Sequence, residues 1–122
     1  MSNAPRGISF HVPYAPVSVN RRYVGRTFRL SPEYRDFHAA VALCAKRAMR
    51  GILPLEGPLC VELTLLLNNA RQDVDGPAKP CLDGCNGIVF ADDSQVIDLR
   101  VVKMHTPKPE KPGVTIAVRE IA

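Results

Sequence analysis

Apolar residues along the chain change their spacing several times, and each change predicts a different element. Ile8, Phe10 and Val12 alternate with polar or small neighbours up to Pro13, which predicts a first strand. A second short strand is expected near residues 26–30, at the end of a loop that reads APVSVNRRYVGRTFRLS. The run LCVELTLLL at 59–67 is nearly all apolar, which is typical of a strand in the middle of a sheet.

The clearest helix signal lies at residues 32–50. Ser31 can cap the first turn, Pro32 suits the first helical position, and Glu33 places negative charge at the positive end of the helix dipole. Apolar residues then recur at intervals of three and four, and Gly51 can end the helix. The predicted apolar face contains Tyr34, Phe37, Val41, Cys44, Ala45 and Ala48.

The second half of the chain predicts shorter elements. A helix is expected over 77–85, ended by Gly84 and the pair Asn86-Gly87. Residues 88–90 and 96–104 predict strands on either side of an acidic turn, and 114–121 predicts a closing strand. We therefore predict one small α/β (α+β) domain over the whole chain, 1–122, with a mixed, mainly antiparallel sheet and two helices.

Composition indicates an ordinary folded protein rather than a membrane or secreted one. The chain is 46% hydrophobic and 23% charged, contains no run of about eighteen apolar residues, and begins without an apolar signal segment. The four cysteines form no CxxC pair, which favours reduced thiols in the cytoplasm. Cys81 and Cys85 are better explained as small buried side chains than as zinc ligands.

Charge is distributed unevenly along the chain. The whole protein carries +4, yet residues 71–98 contain six of its twelve acids and two of its sixteen bases, a net charge of −4. The remaining residues carry +8. This distribution suits a protein whose basic residues bind a polyanion and whose acidic segment binds a cation. On charge alone, a solvated basic surface is an equally good explanation.

Asp73 and Asp75 follow the predicted central strand and are separated by one residue. In an extended segment this spacing points both carboxylates to the same face, where they repel each other unless a cation lies between them. Mg²⁺ is the first choice for carboxylate oxygens. A helix that opens just after Asp75 would direct its N–H groups and Lys79 at anionic oxygens. The turn at Asp92 and Asp93 can return beside this pair.

Each of these motifs alone is more often an exposed turn or a helix cap, whereas the ordered set is much rarer. That set resembles the signature of the RusA family of Holliday-junction endonucleases. Asp83 and Asp98 are interpreted as structural or surface acids. The early PVSVNRRY, with Asn20 and Tyr23, and VVKM at 101–104 are also similar to family segments, so the resemblance covers nearly the whole chain. The central matches are Asp73-Val74-Asp75, Lys79, Leu82-Asp83, Asn86-Gly87 and Asp92-Asp93-Ser94-Gln95-Val96.

The resemblance implies a small homodimeric RusA-like nuclease that makes paired symmetric nicks in four-way DNA during recombination and repair. The implied cofactor is Mg²⁺, with Mn²⁺ as a substitute. Asp73, Asp75 and Asp93 would be the metal-binding catalytic acids, Asp92 a further candidate ligand, and Lys79 the catalytic cation at the phosphate. Candidate DNA contacts that position the backbone without reading sequence are Asn20, Arg21, Arg22, Arg26, Arg29 and Arg71.

The chain departs from the family pattern at three places. Gly76 replaces the usual asparagine, one arginine precedes Asp73 where a family resolvase has several, and Pro77 and Pro80 lie in the predicted short helix. Pro80 is expected to cost a helical hydrogen bond.

Two other hypotheses remain for the function of the chain: a catalytically impaired DNA-binding protein on the same fold, or a cation-stabilised structural module with an incidental basic surface. The chain keeps all of these carboxylates, which argues against a protein that only binds DNA. Carboxylates repel the phosphates of DNA, so they would not help such a protein to bind.

Overall fold

The alternating and apolar runs of the sequence fold onto one sheet. The computed structural model describes residues 4–18, 29–68, 74–105 and 111–121. Within these residues the elements are β1 (Gly7–Val12), α1 (Pro32–Ala48), β2 (Leu59–Leu67), α2 (Ala78–Cys85), a 3₁₀ turn (Asp93–Gln95), β3 (Val96–His105) and β4 (Gly113–Glu120).

The sheet is mixed and mainly antiparallel, as the sequence predicts. In the described part of the chain its strand order is β1-β4-β2-β3. β4 is antiparallel to both β1 and β2, whereas β2 and β3 are parallel. The parallel pair follows from the connection between these strands, which crosses over through α2. β2 has a neighbour on each side, in agreement with its nearly continuous apolar sequence.

The core lies against one face of this sheet. In the β2–β4 register Val61 pairs with Val118, Leu63 with Ile116, and Leu65 with Val114, and all these side chains are buried. They share one cluster with apolar residues of both helices. Complete burial of each such side chain contributes about 1.5–3 kcal/mol, so the two strands hold much of the stability.

α1 begins as predicted and ends two residues earlier than expected. The Tyr34 N–H donates to the Ser31 hydroxyl at 3.2 Å, which satisfies one of the free donors of the first turn. Met49 follows the last helical residue, and Gly51 takes the positive φ of 74° that turns the chain away. The predicted face is buried at Tyr34, Phe37, Val41 and Ala45, and Ala40 joins it.

The structure of α2 differs from two sequence predictions, one about Pro80 and one about Gly84. It begins at Ala78, so Pro80 is the third helical residue, where a backbone N–H would have no partner within the helix. The expected loss of a hydrogen bond at Pro80 therefore does not occur. Gly84 lies inside α2 and does not end it. A Cβ at Gly84 would lie 2.5 Å from a methyl carbon of Val41, so the absent side chain lets the helices approach closely.

The prediction of a strand at residues 88–90 was wrong. This apolar segment forms a turn, with a β-bridge at Phe90 rather than a strand. Val89 and Phe90 are fully buried, so their hydrophobicity serves core packing, and the Leu55 N–H donates to the Val89 carbonyl at 2.7 Å. Of the strand predicted near 26–30, residues 26–28 lie outside the described part, and Leu30 lies in a single β-bridge.

The cysteines behave as buried or half-buried thiols. All four lie in the described part of the chain and are free. Burial raises the pKa of Cys81 far above its ordinary value and that of Cys85 to about 12, so both thiols are protonated at neutral pH. Among the described residues, no helix is long and apolar enough to cross a membrane.

Candidate active site

Asp75 lies in the turn that leads into α2, and Lys79 is the second residue of that helix. The Asp75 carbonyl accepts a hydrogen bond from the Ala78 N–H at 3.1 Å, and the Cys81 N–H donates to the Pro77 carbonyl at 3.3 Å. Asp75 is exposed, and its carboxylate has no partner among the residues that the structure describes. Within the described part of the chain, an exposed acid without a partner therefore lies three residues before α2 begins.

Lys79 connects two acids from different segments. Its Nζ lies 2.9 Å from Oδ1 of Asp83, one turn further along α2, and 3.4 Å from Oδ2 of Asp93. The Lys79 side chain remains 50% exposed. The structure thus brings Lys79 and Asp93 together, although fourteen residues separate them along the chain.

Asp83 belongs to this cluster, and its contacts with Tyr34 and Lys79 agree with its interpretation as a structural acid. The hydroxyl of Tyr34, a residue only 4% exposed, donates to Oδ2 of Asp83 at 3.0 Å. The other oxygen of the same carboxylate holds Lys79. The spacing of four between Lys79 and Asp83 was the available sequence signal. Nothing in the spacing could reveal Tyr34, because it comes from α1.

Asp93 is presented by the 3₁₀ turn that opens β3. The carboxylate of Asp92 caps this turn by accepting from the Ser94 N–H at 3.3 Å. The Gln95 side chain accepts in return from the Asp92 N–H at 3.1 Å, which completes a capping box. The run Asp-Asp-Ser-Gln therefore uses its first and last side chains to build the turn. Asp93, between them, points to Lys79.

Gln95 also ties this turn to the rest of the fold. Its amide nitrogen donates to the carbonyl oxygens of Leu55 at 3.4 Å and Gly57 at 3.1 Å, in the segment that leads into β2. Its side-chain oxygen accepts a further bond from the Ala91 N–H at 3.0 Å. The backbone that carries Asp93 is thus anchored before the acid meets Lys79.

The charges of the cluster are strongly coupled. The hydrogen bond to Asp83 raises the pKa of Lys79, burial opposes this effect, and the charges of Asp83 and Asp93 add to the rise. Hydrogen bonds from Ser94 lower the pKa of Asp92. Near neutral pH, Lys79 is therefore a cation and Asp92 a carboxylate. A permanently charged lysine suits stabilisation of negative charge rather than abstraction of a proton.

Gly76, which replaces the family's usual asparagine, has a local structural reason. It is buried, and a Cβ at this position would lie 2.4 Å from the Ser18 hydroxyl oxygen and 3.0 Å from its Cβ. The segment that follows β1 therefore packs directly against the residue after Asp75. Glycine at residue 76 therefore makes room for this close approach.

Several predicted site residues lie outside the described part of the chain. Arg29 is described and is exposed. Among the described residues there is no group of three or more histidine, cysteine or acidic side chains that could hold a metal ion. Asp75 and Asp93 nevertheless offer the hard oxygen donors that Mg²⁺ prefers, and the predicted third acid is Asp73. The predicted residues outside the described ranges are Asn20, Arg21, Arg22, Arg26, Arg71 and Asp73.

The fold and the cluster define a small α+β protein in which acids and a lysine meet at the start of a helix. Residues 13–119 match the family described as "Endodeoxyribonuclease RusA". Because the match covers nearly the whole chain, the protein belongs to the RusA family, and the resemblance inferred from its motifs is confirmed.

One curated relative is similar to half of the chain. It is YqaN of Bacillus subtilis (strain 168), described as an uncharacterized protein, which is 38% identical over 61 residues. The alignment covers 50% of this chain and 41% of that protein, so the chain matches about two fifths of its relative's length.

Proposed function

We propose that the protein is a metal-dependent, structure-specific endodeoxyribonuclease that resolves Holliday junctions by paired symmetric nicks in DNA recombination and repair. The observation that carries the proposal is the Lys79 ammonium, held between Asp83 and Asp93 at the start of α2, four residues after Asp75 in the sequence. The match to an endodeoxyribonuclease family supports the proposal that this cation acts on a phosphodiester.

The proposed metal ligands are Asp75 and Asp93, together with Asp73, and the proposed ion is Mg²⁺ or, in its place, Mn²⁺. The carboxylate of Asp75, which has no partner among the described residues, and the half-buried carboxylate of Asp93 supply oxygen donors that such an ion requires. When bound, the ion would polarise the scissile phosphate and lower the pKa of the attacking water. Asp92 is the weaker candidate, because its carboxylate already caps the 3₁₀ turn.

Lys79 has a separate task in this proposal. Its charged Nζ, fixed by carboxylates on two sides, stabilises the negative charge that develops on the phosphate oxygens or on the leaving oxygen. The dipole of α2 adds a small positive potential at the N-terminal end of the helix, where Lys79 lies. Because these groups are held before DNA arrives, little reorganisation is needed during the reaction.

The substrate would be positioned by the basic part of the chain. Outside residues 71–98 the net charge is +8, which favours a DNA backbone. The proposed contacts to sugar and phosphate position the junction without reading base sequence. They are Asn20, Arg21, Arg22, Arg26, Arg29 and Arg71.

We further propose that the enzyme acts in the cytoplasm as a homodimer whose protomers are each one RusA-like domain over residues 1–122. Paired nicks on two strands require two sites related by a twofold axis, and a closed dimer supplies them. Sedimentation at micromolar concentration should give the mass of two chains. A monomer that still cuts junctions symmetrically would contradict this part of the proposal.

The proposed activity is tested with a synthetic four-way junction and a linear duplex of the same sequence. We expect paired nicks in the junction with Mg²⁺, no nicks with EDTA, and much weaker cleavage of the duplex. Asp98→Asn serves as a matched control, since Asp98 is an exposed acid on β3 outside the cluster. Equal cleavage of the duplex would contradict junction specificity, and cleavage in EDTA would contradict the metal requirement.

Two observations favour this enzyme over an impaired DNA-binding protein on the same fold. Pro80 costs α2 no hydrogen bond, and Gly76 accommodates the close approach of Ser18. Both departures from the family pattern therefore have a structural explanation that leaves Asp75 and Lys79 in place. Salt-dependent binding of the junction without cleavage in either Mg²⁺ or Mn²⁺ would favour the impaired protein instead.

A further inference from the structure

Three side chains form a continuous line of contacts from the buried interior to the proposed phosphate site. The Tyr34 hydroxyl donates to Oδ2 of Asp83 at 3.0 Å, and Oδ1 of Asp83 lies 2.9 Å from Nζ of Lys79. Tyr34 is 4% exposed, the Asp83 side chain 24%, and the Lys79 side chain 50%. Exposure therefore rises step by step along the line towards Lys79.

From this geometry we infer that Asp83 is the positioning residue that holds Lys79 at the phosphate, and that Tyr34 in turn orients Asp83. The inference rests on the proposed function, since it assigns Asp83 a role in the same reaction. Lysine carries its charge on a flexible four-carbon stem, so a half-exposed ammonium needs a fixed partner to stay in one place. Asp93, at 3.4 Å, is the more distant of its two carboxylates.

The fold fixes Asp83 much more firmly than an ordinary surface acid. Tyr34 lies in the first turn of α1, where its N–H is bonded to the Ser31 hydroxyl. The neighbour of Asp83, Gly84, makes the close approach to Val41 that sets the spacing between α1 and α2. The carboxylate thus receives its hydrogen bond from a helix whose distance is set by core packing.

The arrangement also separates the work of the two carboxylates beside Lys79. Asp83 uses one oxygen for Tyr34 and the other for Lys79, which leaves it poorly suited to bind a metal ion. Within the described residues, the carboxylate of Asp93 makes its contact through Oδ2 alone. Asp83 therefore orients the cation, while Asp93 keeps an oxygen for the proposed ion.

The test is a double-mutant cycle on single-turnover cleavage with saturating junction and Mg²⁺. We expect Asp83→Asn to lower the rate about 10- to 100-fold and Tyr34→Phe to lower it less, with DNA affinity unchanged in both. In the Lys79→Ala background, Asp83→Asn should cost nothing more, because its effect passes through the ammonium. Asp36→Asn, an exposed acid on α1, is the matched control and should cut at the wild-type rate.

Two results overturn the inference: a wild-type rate for Asp83→Asn, or equal rate losses from Asp83→Asn with and without Lys79. If Asp83→Asn does not fold, the same cycle is run with Tyr34→Phe, which removes one hydroxyl. A second readout does not depend on cleavage. The side-chain ammonium signal of Lys79 in ¹⁵N NMR, assigned with Lys79→Arg, should be observable in the wild type and broaden through solvent exchange in Asp83→Asn.

This second readout separates the two proposals. If the wild-type protein cuts no DNA while the Lys79 signal is lost in Asp83→Asn, the proposed function fails and the positioning contact stands. If the protein is active but the signal is the same in wild type and Asp83→Asn, the positioning role is wrong.

Discussion

Two ion-pair clusters in this small protein use their acids in opposite ways. The carboxylate of Glu120 accepts three hydrogen bonds. The donors are the backbone N–H groups of Glu56, at 2.8 Å, and Arg6, at 2.9 Å, and the guanidinium of Arg6, at 3.0 Å. The same guanidinium also donates to the carbonyl oxygens of Leu53 and Pro54. These donors lower the pKa of Glu120 to about 2. The carboxylate is fully used in holding three chain segments together.

Among the described residues, the cluster at Lys79 has more acid than base. Asp83 and Asp93 share a single ammonium, and Asp75 has no partner among the described residues. Such an excess of carboxylates over cations is unfavourable unless a further cation binds there. The comparison shows that a structural acid such as Glu120 can be distinguished from a candidate functional acid such as Asp75 by the number of hydrogen-bond donors around its carboxylate. Charge or exposure alone does not make this distinction.

The largest expected effect is the loss of cleavage when an acid of the site is neutralised. Asp75→Asn and Asp93→Asn should abolish cleavage and keep or strengthen junction binding, because each removes a proposed ligand and eases repulsion of phosphate. The measurements are single-turnover cleavage in Mg²⁺ and binding in Ca²⁺. Glu120→Gln is the matched control from the other cluster, and it should cut at the wild-type rate while it folds less stably.

If Asp75→Asn loses binding in proportion to cleavage, Asp75 is structural and the site is misplaced. If Glu120→Gln loses cleavage at a temperature where it is folded, the contrast between the two clusters fails.

The second effect distinguishes two kinds of base. Lys79→Ala should lower the saturating rate by about 10²–10³-fold and leave affinity nearly intact, since its charge acts where negative charge develops. Arg22→Ala should weaken binding, reduce the salt slope by about one, and spare the rate at saturation. The measurements are single-turnover rates and a salt titration of junction binding. Cleavage by Lys79→Ala at the wild-type rate would refute the assigned role.

Much of the fold could be predicted because it depends on local patterns. The predicted bounds of β2 coincide with the observed ones, and the alternation of β4 matches its buried positions. The strand expected at 88–90 failed because a short apolar run has the same sequence whether it is extended or folded into a buried turn. Tertiary packing decided the outcome.

The site was predictable only as far as it follows the chain. The proximity of Lys79 and Asp93 follows from the ordered motifs, whereas the role of Asp83 depends on the hydroxyl of Tyr34 from another helix. From the sequence alone, Gly76 is only a departure from the pattern that the resemblance implies. In the structure, glycine at this position makes room for Ser18. Ser18 lies in a distant segment of the chain, so a sequence motif around residue 76 could not reveal this contact.

The third prediction concerns pH and the Glu120 cluster. The folded-state pKa of Glu120, about 2, lies below the ordinary value of 4.5, so its ionised form stabilises the fold above about pH 4.5. This contribution is lost as the pH falls from 4.5 through 2. Urea unfolding at several pH values should therefore show a smaller loss of stability on acidification for Glu120→Gln than for the wild type. Identical pH dependence of both proteins would contradict the assigned role.

The smallest expected effect is at Asp92, which decides whether the neighbour of Asp93 is a metal ligand or a cap. Its carboxylate accepts from the Ser94 N–H, and hydrogen bonds from Ser94 lower its pKa. Asparagine caps a helical turn about as well as aspartate, so Asp92→Asn should cut junctions at nearly the wild-type rate. Asp92→Ala removes the cap and should lower the rate several-fold, because Asp93 then loses its fixed position beside Lys79. Single-turnover rates over a range of Mg²⁺ concentrations measure both effects. The opposite result would be that Asp92→Asn is as inactive as Asp93→Asn and that more Mg²⁺ partly restores its rate. Asp92 would then bind the ion, and the division of this turn into a structural acid, Asp92, and a functional acid, Asp93, would be wrong.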